Sequence, residues 1–144
     1  MSRAVVQAIL RREGRSLMQY LREVPPWVGP HEANSQARLH EIANTELNAL
    51  EAIGRLFQKE FHEMSHMGGY PDFTGSNDMA LHYLLPRVIL EQQNLLAGLE
   101  RDRAAFTEQD IGIAIDQLIT MKRRHLSELE SLHTLPHTFR TTSA

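Results

Sequence analysis

The chain has 144 residues, 42% of them hydrophobic and 23% charged, with a formal net charge of −3. That describes one ordinary globular domain with a single core, too apolar for disorder and without the basic surplus that a nucleic-acid partner needs. The absence of cysteine excludes disulfide frameworks, thiolate metal sites and cysteine nucleophiles, and it suits a cytoplasmic location.

Apolar residues recur at helical spacing in four stretches. The first holds Val6, Leu10, Leu17, Leu21 and Val24 and stops at Pro25-Pro26. The second runs from Leu39 through Ile42, Leu50, Ile53 and Phe57 to Met64 and stops at Gly68-Gly69. The third carries Leu81, Leu84, Leu85, Val88, Leu95, Leu99 and Phe106, with Asn77 or Asp78 as cap. Pro86 inside it demands a kink or a late start. The fourth carries Ile111, Ile115, Leu118, Leu129 and Leu132, with Thr107 as N-cap. A period of 3.6 fits each stretch, and strand-like alternation fits none. Residues 1–134 are therefore expected as one all-α domain and residues 135–144 as a polar tail. No apolar run approaches the roughly 18 to 20 residues of a membrane span. The N-terminus, Met1-Ser2-Arg3-Ala4-Val5, reads as amphipathic helix rather than signal peptide. No membrane partner is expected.

The links differ in length. Residues 25–31 and 104–107 are tight, which predicts two antiparallel helix pairs. The link from Gly68 to Asn77 is long enough, at roughly 3.3 to 3.6 Å per residue, to run the length of a helix. The second and third helices are then parallel, in a four-helix bundle with one long crossover.

Several charged residues fall on the apolar stripes. Glu13 lies between Leu10 and Leu17, Glu46 between Ile42 and Leu50, and Glu91 between Val88 and Leu95. Lys122 and His125 lie between Leu118 and Leu129. Counted from the helix ends at about 1.5 Å per residue, the three carboxylates share one layer. Carboxylates in a dry core need cations, and a metal, a lysine or both could supply them.

These residues resemble the ferritin-like superfamily, bacterioferritin and rubrerythrin in particular. Glu13 is followed by Gln19-Tyr20 as the family's first-helix ligand is, and Glu46, Glu91 and His125 take the places of later ligands. The resemblance covers residues 3 to about 133. It implies a ferritin-like four-helix bundle, a metal set of Glu13, Glu46, Glu91 and His125, and assembly into homo-oligomers. Two departures stand out. The family's Glu-x-x-His becomes Glu46-Leu47-Asn48-Ala49 on the second helix, and Lys122-Arg123-Arg124-His125 on the fourth. Lys122 thus stands where a fourth carboxylate would be. The expectation is a degenerate metal centre without enzymatic activity, holding no cofactor. Its alternative is a single divalent ion (Fe, Zn or Mn) at Glu46, Glu91 and His125.

His62-Glu63-Met64-Ser65-His66 matches the zinc-peptidase string H-E-x-x-H, and Asp72 stands where a third ligand could be. Two histidines one helical turn apart would bind zinc, and Glu63 would activate its water. The sheet that such peptidases use is not legible here. Plainer roles suit the rest: Trp27 plugs a bundle end, Tyr20 packs with its hydroxyl on a carboxylate, and Glu130 and His133 are a solvated pair.

Overall fold

A computed structural model describes residues 2–143, with side chains through residue 134. The expected tail from residue 135 lies outside the described side chains. Five α-helices hold the described chain: α1 Ser2–Gly14, α2 Leu17–Glu23, α3 Ala33–Phe61, α4 Leu81–Asp102 and α5 Gln109–Ser143. Among the described residues no strand forms, and the one β-bridge joins Trp27 to Ala80. None of these helices is long and apolar enough to cross a membrane.

The expected first helix is two helices. Arg15 and Ser16 leave the helical path, and Ser16 caps the restart by accepting from the Gln19 backbone N–H at 3.2 Å. Gly14 makes the break useful. A Cβ there would lie 2.4 Å from Met67 Sδ, so only glycine lets the segment after α3 come this close. Gly54 gives Ser65 the same room, at 2.8 Å from where a Cβ would stand.

Helix α3 ends earlier than its apolar pattern predicts. His62 takes a left-handed conformation (φ 56°), and its N–H closes the last turn on Gln58 O. Residues 62–80 then follow the first two helices in the same direction. The His66 N–H donates to Gln7 Oε1, Arg15 Nε donates to Gly69 O, and the Tyr70 hydroxyl donates to Gln19 O. The Tyr20 hydroxyl donates to Asn77 Oδ1, at 2.6 Å, rather than to a carboxylate. The Leu81 N–H reaches Trp27 O at 3.0 Å. Trp27 itself is 66% exposed and plugs nothing.

The cap of α4 comes neither from Asn77 nor from Asp78. Ala80 holds the N-cap position without a side-chain bond. The buried Glu32, just before α3, instead accepts from the His82 N–H at 3.0 Å and from the Gly29 N–H at 3.3 Å. One carboxylate thus ties the start of α3 to the start of α4. Pro86 sits within α4 without ending it. Helix α5 starts at Gln109, so Glu108 rather than Thr107 precedes it.

The core has two apolar clusters. Leu17, Met18, Leu21, Leu39, Ile42, Leu84, Leu85, Val88 and Leu129 belong to one. Val6, Ile9, Leu10, Leu50, Ile53, Phe57, Leu99, Ile111, Ile115 and Leu118 belong to the other. Burying each such side chain stabilises the fold by about 1.5 to 3 kcal/mol before entropy is counted. The chain crosses from one cluster to the other at polar residues: at Glu13 between α1 and α2, at Glu46 in α3, at Gln92 in α4, and at Lys122 with His125 in α5.

Candidate functional site

Those five residues form the polar layer. Glu13 is in the last turn of α1, Glu46 at the middle of α3, Gln92 at the middle of α4, and Lys122 and His125 one turn apart on α5. All are buried, Lys122 to 1% exposure. Helical spacing puts each on the inward stripe of its own helix.

Lys122 is the centre. Its Nζ lies 2.7 Å from Glu13 Oε1 and 2.7 Å from Glu46 Oε1, and it also donates to Gln92 Oε1. An ammonium has three N–H donors, and all three are used. The other oxygen of Glu46 sits 2.6 Å from His125 Nδ1. Two atoms of the layer have no hydrogen-bond partner among the described residues, Glu13 Oε2 and Gln92 Nε2.

The two carboxylates are equally close to Lys122 but respond oppositely. Burial pushes the Glu13 carboxyl above the ordinary range, and Lys122 does not overcome it. Burial acts on Glu46 too, but Lys122 and the hydrogen bond from His125 outweigh it and hold that carboxyl low. The difference is the second donor: Glu46 has both oxygens satisfied and Glu13 has one. Burial would also strip the Lys122 proton, yet the facing carboxylates prevail and hold its pKa above the usual lysine value.

Glu91 does not join this layer. It is half-buried, and its Oε1 accepts the Leu17 N–H at 2.7 Å, capping α2 across the break in the first helix. Its carboxyl is pushed up by burial, against the Leu17 bond and the field of Lys122. Gln92, one residue on, takes the inward place. Both positions lie within one stripe of Val88 and Leu99, and helical period alone does not separate neighbours on a stripe about 100° wide. An uncharged amide gave no further signal.

The donor set present does not fit a divalent ion. Glu46 has both oxygens engaged, His125 Nδ1 is spent on Glu46, Glu91 is spent on backbone, and an ammonium stands among the carboxylates. Among the described residues no group of three or more His, Asp or Glu side chains is arranged to hold a metal. Ala49, where the resemblance would want a histidine, packs on the second apolar cluster.

The H-E-x-x-H string lacks the geometry its chemistry needs. Residues 62–66 follow the end of α3, so His62 and His66 do not share a helical turn. Glu63 pairs with Arg3 at 3.0 Å.

Compared with known proteins, the chain matches no protein-family model, no curated protein and no solved structure.

Proposed function

We propose that this chain is a ferritin-like four-helix bundle whose metal centre has been replaced by a lysine, a non-enzymatic protein that acts through self-association. On this reading α1 and α2 are one interrupted first helix, α3, α4 and α5 are the other three, and residues 62–80 are the long crossover. The contacts of that segment along Gln7, Arg15, Gln19 and Tyr20 support the crossover, as does the Glu32 carboxylate shared by the starts of α3 and α4.

The observation that carries the reading is Lys122 Nζ, held 2.7 Å from Glu13 and 2.7 Å from Glu46 in the layer where metal ligands were expected. An ammonium there supplies the positive charge that two buried carboxylates need. It offers no open coordination position and no redox chemistry. Exposed Trp27, Tyr83 and Leu90 are the feature that suits self-association. The cysteine-free sequence suits a cytosolic setting.

The test is aerobic addition of ferrous ion to protein purified without chelators, followed by metal analysis. Neither rapid oxidation nor bound metal is expected. Fast oxidation with two ions bound per chain overturns the reading. One ion per chain, lost in His125→Ala, would transfer it to a single-metal protein.

A further inference from the structure

Helix α4 carries an outer face unlike that of α3. Tyr83 is 63% exposed and Leu90 60% exposed, and Pro86, Arg87, Asn94 and Ala97 are exposed beside them. Across these 15 residues the face holds a single charge. That charge, Arg87, makes no ion pair among the described residues. The outer face of α3, by contrast, exposes Glu41, Glu51, Arg55, Lys59 and Glu60. Charge depletion with tyrosine and arginine retained is the composition of an interface centre. Positions 83, 90 and 97 recur every seven residues, the spacing of a helix-on-helix seam.

We infer that this face is where two copies of the chain meet, α4 against α4 in antiparallel register about a two-fold axis between Gln93 and Asn94. This rests on the self-association proposed above and names its surface. The register follows from complementarity. The axis sets Leu90 of one copy opposite Ala97 of the other, a large side chain over a small one. It sets Tyr83 at the exposed Ala104 just past the end of α4. It sets Arg87 opposite Glu100, which is exposed and, among the described residues, pairs with Arg123 alone, at 3.3 Å. Two-fold symmetry repeats each pair, so the surface complements itself. An axis between Pro86 and Arg87 would instead oppose Tyr83 with Leu90, give Arg87 no carboxylate and leave the C-terminal half of α4 uncovered.

The chain has no cysteine, so introduced cysteines report on this register alone. Oxidation of Leu90→Cys/Ala97→Cys should give a covalent dimer. Leu90→Cys alone should not, because its two copies stand seven residues apart along the seam, roughly 10 Å, beyond the Cα separation of about 7 Å that a disulfide spans. In sedimentation, the unaltered chain should be a dimer and Leu90→Glu a monomer with unchanged circular dichroism. Arg87→Glu should weaken the dimer about tenfold, and adding Glu100→Arg should restore it. A chain that is monomeric at every concentration overturns self-association as a whole. A dimer that survives Leu90→Glu, or that gives no cross-link in the double variant, overturns this face and leaves self-association standing.

Discussion

Lys122 carries a charge where burial alone would remove it, and the fold holds that charge with two carboxylates of unequal character. The signs of their pKa shifts lead to opposite expectations. Glu46 is held below its ordinary 4.5, so its contribution is complete above pH 4.5 and is lost as pH falls through its folded value. Glu13 is pushed above 4.5, so its contribution is complete below 4.5 and is lost as pH rises through its folded value. Lys122 is held above 10.5, and its contribution persists below 10.5 and fades as pH climbs through the folded value. At pH 7, Glu46→Gln should therefore cost about 3 kcal/mol, the penalty for breaking a buried pair. Glu13→Gln should be neutral or stabilising. Urea denaturation of both variants at pH 7 and pH 4 checks this, and the gap between them should narrow at the lower pH. Equal losses at pH 7 would show that the two carboxylates are equivalent.

The first helix owes its break to Gly14, Ser16 and Glu91 together. Ser16-Leu17-Met18-Gln19 has the capping spacing S-x-x-Q, so the restart at Leu17 was legible in the sequence. The apolar period ran through it unbroken and argued for one helix. Glu91 as the cap was not legible, because its partner is a backbone N–H 74 residues away. The same limit hid Glu32 as the cap of α4: a cap supplied by another element leaves no local pattern. The close approach at Gly14 can be tested directly. Gly14→Val should destabilise the fold by about 1 to 3 kcal/mol, the range for overpacking. Met67→Ala should be milder and should recover part of that loss when combined with it. If the two effects simply add in thermal melts, Met67 is not the neighbour that requires glycine.

For the molecule as a whole, the all-helical class and four of the five residues of the polar layer could be read from period and stripe. Gln92 could not, nor could the exposure of Trp27, since neither follows from helical spacing. The proposed ferritin-like reading can be tested by reversing the two departures it names. Lys122→Glu with Ala49→His restores the residue types that the family's ligand pattern calls for, and this double variant should take up divalent metal where the unaltered chain takes none. Calorimetric titration with manganese would measure it, and silence in both proteins would argue against a ferritin-like ancestry for the layer. The tethered ammonium has one more consequence. A metal ion that stabilises a fold does so by mass action, in proportion to the logarithm of its free concentration. Lys122 is attached to the backbone of α5, so its local concentration is fixed by the chain itself and falls with no dilution, competitor or chelator. The charge that Lys122 brings to Glu13 and Glu46 therefore belongs to the chain itself, and this counter-charge has no unloaded form that would have to wait for a cation to arrive.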